Sequence, residues 1–315
     1  MPANNRPVIL PADPAAIARA AGLLRNGGLV AVPTETVYGL AARADSPDAV
    51  ASIYRAKGRP DFNPLIVHVA SPDAARCLAR FDDRAEALAA AFWPGPLTLV
   101  LPRRDEADLA PAVTAGLPTV ALRCPAHPVM QALLEAAGLP LAAPSANRSG
   151  AISPTTADHV AASLGKKVDL VLDGGPTARG LESTIVACRP DGWEVLRPGP
   201  ITEAEIAAIL GTCLDAATGD GAIEAPGQLA SHYAPGKPVR LGAAVAEGDE
   251  YLIGFGPVAG DATLSASGDL AEAAARLYAV LHLAAAASQP RIAVAPIPER
   301  GIGSAINDRL RRAAA

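Results

Sequence analysis

The chain has 315 residues, half of them hydrophobic, with 27 Lys and Arg against 32 Asp and Glu for a formal charge of −5. Domains commonly run to about 100–200 residues, so this length points to two of them. The acidic balance argues against a chain whose main work is gripping nucleic-acid phosphates. The 3% of aromatic residues is too few for a platform on which bases stack.

No uninterrupted apolar run approaches the roughly 20 residues of a membrane helix. The longest, Leu277 to Ala287, carries His282 and reads as a helix of a soluble domain. The opening MPANNRPVIL has no charged segment leading into an apolar one, so no secretory signal is expected. Cys77, Cys124, Cys188 and Cys213 are scattered with no CxxC pair. That disfavours zinc and thioredoxin-type chemistry and suits reduced thiols in the cytoplasm.

Helical and strand patterns alternate from the start. Asp13-Pro14 places a capping side chain before proline at the first helical position, and Gly27-Gly28 close that helix. LVAVP follows as a buried strand. Ser46-Pro47 opens a second helix that ends at Gly58, before the strand PLIVHVA. LTLVL, TVALRC, LPLAAP, VDLVLD, STIVAC and WEVLRP are further strands, and helices are expected to start near Ser71, Asp82, His127 and Ser153. Thr202 and Glu205 form a capping box for a helix ending near Gly211. A polar, Gly-rich stretch then reads as a linker. From about Lys237 the pattern restarts with VRLGAA, EYLIGFG, a long helix from Asp269, RIAVAPI and a terminal helix. The expected organisation is an α/β sheet domain over 1–211, a linker over 212–236, and a small α/β domain over 237–315.

Familiar nucleotide and hydrolase signatures are missing: no GxxxxGK[ST], GxSxG or HExxH occurs. GFGPVAG, from Gly254, has Pro257 inside it and reads as an ordinary turn after a strand. What remains is a set of polar loops. PTETVYGL directly follows a buried strand, where hydroxyls can meet a ligand; alone, its Thr and Glu would do no more than cap a turn. AKGRPDFNPLIVH sets Lys57 and Arg59 around Gly58, a pair able to grip one polyanion or simply to end a helix in solvent. Arg123 closes an apolar strand, so a buried carboxylate or a ligand must partner it. APSANRSG, SPTT, GLESTIV and LRPGPIT add Ser145, Ser153, Ser183 and Arg197. Cations and hydroxyls without a nucleophilic triad describe a site for a polyanion and a second polar ligand, where positioning and charge perform the chemistry. Phosphoryl or nucleotidyl transfer fits.

These segments together resemble the threonylcarbamoyl-AMP synthase family. PTETVYGL, KGRP, NPLIVH, FWPGPLTLVL, VALRCP, APSANRSG, DGGP, GLESTIV and LRPGPIT follow the family's order across about residues 10–210. APGQLASHYAP resembles the linker of its long members, and the end GIGSAINDRLRRAA resembles their Rossmann-like C-terminal domain. The resemblance implies a YrdC-like twisted sheet with flanking helices and a concave site. It also implies a reaction: L-threonine, bicarbonate or CO2, and ATP with Mg2+ give threonylcarbamoyl-AMP and pyrophosphate, for threonylcarbamoyl-adenosine in tRNA. Carried over by motif, Thr36, His68, Arg123, Ala143 and Ser183 correspond to threonine contacts. Arg59, Asn63, Thr119, Ser145, Ser153, Arg197 and Tyr233 correspond to ATP contacts. Lys57, Arg59 and Arg123 are the expected catalytic groups, and no protein metal site is implied. Asn147 supports its neighbours, and Tyr233 belongs to a lid. Gln228, Leu229 and Ala230 stand where the family commonly has more basic and bulky residues. Partners implied are a downstream threonylcarbamoyl transferase and at most a transient contact with tRNA, in the cytoplasm and away from membranes. The competing reading is a non-enzymatic RNA-binding module of the same fold. A hydrogenase maturation factor would carry acylphosphatase and zinc-finger regions, which this sequence lacks.

Overall fold

The computed structural model describes residues 6–211, 224–228 and 232–315. The larger sheet holds β1 (Ile9–Pro11), β2 (Val30–Pro33), β3 (Tyr38–Arg43), β4 (Ile66–His68), β5 (Leu97–Pro102), β6 (Thr119–Arg123), β7 (Leu141–Ala142), β8 (Leu170–Asp173), β9 (Thr184–Arg189) and β10 (Gly192–Arg197). Their spatial order is β1-β8-β2-β3-β7-β4-β6-β5-β9-β10, with parallel and antiparallel pairs mixed. Around it lie α1 (Pro14–Arg25), α2 (Pro47–Lys57), α3 (Pro72–Arg76), α4 (Asp83–Phe92), α5 (Pro111–Thr114), α6 (Pro128–Ala137), α7 (Ala157–Leu164) and α8 (Glu203–Leu210).

β2 is apolar on both faces because helices cover both, whereas one face of β4, β6, β5 and β9 carries Ile66, Ala121, Val100 and Ile185 with Ala225 and, among the described residues, no helix. Along β2, Val30 and Val32 pack with Ala20 and Leu24 of α1 and Leu133 of α6. Ala31 faces the other way, into a core with Val50 and Ile53 of α2 and Leu88 of α4. This two-residue alternation is the strand period. The predicted caps are in place: Asp13, Ser46, Ser71, Asp82 and Thr202 each accept a backbone N–H three residues on, and His127 accepts from Val129. One start is displaced. Thr156, not Ser153, caps α7, and Ser153 lies in an extended stretch before it, with its hydroxyl bonded elsewhere.

The smaller sheet is parallel, in the order β11 (Val239–Leu241), β14 (Arg291–Val294), β12 (Glu250–Gly254), β13 (Ala262–Thr263). It packs with α9 (Leu270–Ala286) and α10 (Gly303–Ala314). GFGPVAG is a tight turn there: Phe255 bridges to Val258, and Leu264 donates its N–H to the Gly254 carbonyl. The second core does not stop at the domain edge. Val37, Ile152, Leu181 and Tyr233 belong to the same buried cluster as Leu277, Tyr278 and Ile306. No helix among the described residues is long and apolar enough to cross a membrane. Most of the predicted linker, residues 212–223 and 229–231 with Leu229 and Ala230, lies outside the described residues.

Candidate active site

A cleft partly open to solvent, with about 550 Å³ of empty space when that open solvent is counted, lies where several strands of the larger sheet begin or end. Parallel register places His68, ending β4, directly beside Arg123, ending β6. Paired positions on neighbouring strands share a face, so both side chains enter the cleft. Ala143 follows β7, Ser183 precedes β9, and Arg197 ends β10. The turn Thr34–Val37 links β2 to β3 and closes one side.

Within that turn the threonines divide their work. Thr34 Oγ1 donates to the Val37 carbonyl (2.7 Å) and accepts the Thr36 and Val37 amides, so it holds the turn. Thr36 Oγ1 instead accepts a hydrogen bond from Arg123 Nη1 at 2.9 Å. Arg123 also pairs with Glu35 at 2.7 Å and donates to the Gly95 carbonyl. Burial alone would raise the Glu35 pKa, but the Arg123 charge and hydrogen bond leave it below the usual carboxylate value. The partner that a buried strand-end arginine demands is therefore Glu35, within the PTETVYGL loop itself.

The two arginines expected on the nucleotide side are surrounded differently. Arg59 is buried and donates to the Asn63 side chain (2.6 Å), the Asn63 carbonyl and the Pro64 carbonyl. Arg197 is buried and donates to the Ser183 carbonyl, the Ser183 hydroxyl and the Pro226 carbonyl. Every one of these acceptors is neutral. Burial pulls the Arg59 pKa down to about 10, with Arg197 adding repulsion; Arg197 is likewise lowered by burial first. Two buried guanidinium groups facing one cleft without a carboxylate contact are costly unless an anion joins them.

Lys57 ends α2, and the left-handed Gly58 (φ 60°) turns the chain so that Arg59 follows into the cleft wall. Its ammonium is not solvated. It donates to the carbonyls of Ser145 (2.5 Å) and Asn147 (2.6 Å), holding the APSANRSG loop from behind. Burial, followed by repulsion from Arg59, brings its pKa well below the usual lysine value. His68 Nδ1, His232 Nδ1 and Tyr233 OH are buried without a hydrogen-bond partner, on residues that line the cleft. Burial lowers the pKa of His68 to about 3, so its ring is neutral.

Thr36, His68, Arg123, Ala143 and Ser183 all line the cleft, as do Arg59, Ser145, Arg197 and Tyr233. Asn63 and Ser153 stand behind it: Asn63 orients Arg59, and Ser153 Oγ donates to Glu182 Oε1 at 2.5 Å. Thr119 begins β6 at the opposite end from Arg123, about 13 Å away at the rise of a strand. Reading by motif gave Glu35 and Glu182 no role in the site and did not single out His232 or Arg309. Arg309 had a signal: it shares a helical face with Ile306, Leu310 and Ala313, all buried. A charge on the apolar face of an amphipathic helix needs a partner.

Comparison with known proteins agrees with this architecture. The family model described as telomere recombination, Sua5/YciO/YrdC, matches residues 22–199, and one described as the threonylcarbamoyl-AMP synthase C-terminal domain matches residues 201–315. The chain belongs to the Sua5/YciO/YrdC family, in the long form that carries the second domain. It is similar to the threonylcarbamoyl-AMP synthase of Bacillus subtilis, 48% identical over 75% of this chain and 69% of that protein. The Pyrococcus abyssi enzyme of the same name is 39% identical over 93% of this chain and 92% of that protein. The crystal structure of Pyrococcus abyssi Sua5 complexed with L-threonine superposes with a TM-score of 0.86 at 36% identity, over 98% of this chain and 97% of that one.

Proposed function

We infer that this chain is a nucleotidyltransferase that makes threonylcarbamoyl-AMP from L-threonine, bicarbonate or CO2, and ATP, releasing pyrophosphate. Relatives of that name support the activity over the reading as a non-enzymatic RNA-binding module. The observation that carries the reading is electrostatic: Arg59 and Arg197 are buried at one cleft with only neutral acceptors. A triphosphate supplies the missing negative charge. Arg59 commits Nε and Nη2 to Asn63 and Pro64, which leaves Nη1 outside those bonds to donate charge-assisted bonds to phosphate oxygens.

Threonine belongs at the other end, against Thr36, His68, Arg123, Ala143 and Ser183. The neutral His68 has a free ring nitrogen to bond a polar group of the amino acid. Val37, Ile66 and Pro144 offer apolar wall for the methyl. The amine nitrogen bonds to the carbon of CO2 and loses a proton, giving a carbamate. A carbamate oxygen then attacks the α-phosphorus, the bond to the bridging oxygen breaks, and pyrophosphate leaves with that electron pair. With bicarbonate as the carbon source, one water is also lost. The protein's part is to hold carbamate and phosphorus together and to stabilise the leaving charge.

Mg2+ would travel on the triphosphate. Among the described residues no acidic cluster could hold a metal, and Glu182, the carboxylate in the cleft lining, already has both oxygens bonded. This ion characteristically keeps waters and substrate phosphates as ligands. The product passes to a transferase that acts on tRNA, in the cytoplasm. In this reading the catalytic domain occupies residues 1–211, residues 212–236 join it to the second domain at 237–315, and Tyr233 shields the bound nucleotide. Pyrophosphate release, assayed with each component omitted in turn, is the test. Release that needs ATP, threonine and bicarbonate together supports the assignment; equal release without threonine would falsify it.

A further inference from the structure

Arg309 lies on α10 of the second domain and is fully buried. Its guanidinium reaches across to the first domain. Nε donates to Glu182 Oε2 at 3.0 Å, and Nη2 donates to the carbonyl of Pro198, the residue after Arg197, at 2.9 Å. Nη1 bonds Asp308, and the cation sits 5.3 Å from the centre of the Tyr233 ring. Tyr278, from α9, donates its hydroxyl to the same Glu182 oxygen at 2.7 Å. Three groups thus converge on Glu182: Ser153 from its own domain, and Tyr278 and Arg309 from the other. Burial alone would raise its pKa. Arg309 and then Arg197 outweigh that, with the Ser153 and Tyr278 hydrogen bonds, and bring it down to about 2.

An ionised carboxylate in the lining of a cleft built for a polyanion is a conflict unless it is neutralised. The cleft cation whose charge acts on it, Arg197, spends its donors on Ser183 and Pro226. Contact neutralisation comes from the second domain.

We propose that Arg309 is a positioning residue for the ATP site, acting from the second domain by neutralising Glu182 so that Arg59 and Arg197 face the triphosphate unopposed. The proposal rests on the placing of ATP in this cleft. One guanidinium also fixes the Pro198 carbonyl and backs the Tyr233 ring, so it sets the spacing between Glu182, the end of β10 and the nucleotide-side wall. Lysine has one nitrogen and cannot make these contacts at once.

The experiment is a double-mutant cycle on the full chain, reading KM for ATP and for threonine from pyrophosphate release. Arg309→Met leaves Glu182 charged and unpaired, and its KM for ATP is expected to rise about tenfold or more, with a much smaller change for threonine. Adding Glu182→Gln removes the stranded charge, and KM for ATP should return to within about threefold of the parent. In the double variant Asp308, the other carboxylate on Arg309, keeps Arg312 at 3.0 Å, so neither carboxylate site is left as a stranded charge and the double variant reports even if Arg309→Met fails to fold. An unchanged KM for ATP in Arg309→Met, or a folded double variant that keeps a raised KM, overturns the proposal. Arg59→Ala separates this from the underlying reading. A raised KM for ATP in Arg59→Ala with none in Arg309→Met removes the role of Arg309 alone; no change in Arg59→Ala removes the placing of ATP and this inference with it.

Discussion

Arg59 and Arg123 are both strongly buried arginines of one cleft, yet their surroundings predict different variants. Arg59 donates only to neutral acceptors, so Arg59→Ala strands no charge. It should keep its fold and lose about 2–5 kcal/mol of ATP affinity, the usual loss for a desolvated charge partner. Arg123→Ala leaves Glu35 without its cation. It should lose threonine binding and also about 3–5 kcal/mol of stability. Adding Glu35→Gln should restore the melting temperature but not threonine binding; recovery of both would mean that Arg123 serves only Glu35. The apolar wall makes a third test: serine should be a poorer substrate than threonine by about 1–3 kcal/mol in kcat/KM, the value of one methyl in a fitted pocket. The identities of these residues were legible as motifs. Their partners were not, because Glu35 sits 88 positions from Arg123 in the chain and meets it only through the register of the sheet.

At the scale of elements, the short segments that enter the cleft are held by backbone geometry. Gly199 shows how tightly: a Cβ there would lie 2.5 Å from the Thr184 nitrogen and 2.8 Å from the Glu182 carbonyl oxygen. Gly199→Ala must push the Glu182–Thr184 segment aside. It should weaken both substrates together and lower stability by about 1–3 kcal/mol; unchanged kinetics would show that this segment tolerates movement. Most elements followed from local chemistry, since an N-cap and an apolar period are readable without the fold. The misplaced start of α7 has a physical reason. Ser153 and Thr156 are both good caps, and Ser153 was taken by Glu182, a contact across 29 residues. β3 was hidden for a similar reason: PTETVYGL reads as one polar turn, whereas its last residues already pair with β2.

At the scale of the molecule, the second domain backs the wall of the cleft, where Tyr278 and Arg309 hold Glu182 and Tyr233. Tyr233 is fully buried between the cleft, the Tyr278 ring at 5.5 Å and the Arg309 cation. Ending the chain at Gly211 would uncover Val37, Ile152 and Leu181 and leave Glu182 without Tyr278 and Arg309. This interface was legible only as two domains in sequence, because nothing local announces which apolar surfaces meet. The cleft itself carries a pH signature, through two histidines that line it. Burial lowers the pKa values of His68 and His232 to about 3, from 6.5. Both rings stay neutral in the fold but take up protons when unfolded below that value. Stability is therefore full above about pH 6.5 and falls as pH drops toward 3, by up to about 1.4 kcal/mol per unit for each ring. Thermal melting at pH 7.5 and 5.5 should show a clear decrease that His68→Asn reduces; equal melting temperatures would contradict the neutral buried rings.

The placing of both substrates is the claim on which the rest depends, and a crystal structure of the full chain grown with L-threonine and a non-hydrolysable ATP analogue tests it most directly. The account predicts the triphosphate between Arg59 and Arg197 beneath Tyr233, and the amino acid against Arg123 and His68, with its nitrogen facing the α-phosphorus. A nucleotide bound elsewhere, or one in this cleft whose phosphates avoid both arginines, would contradict it.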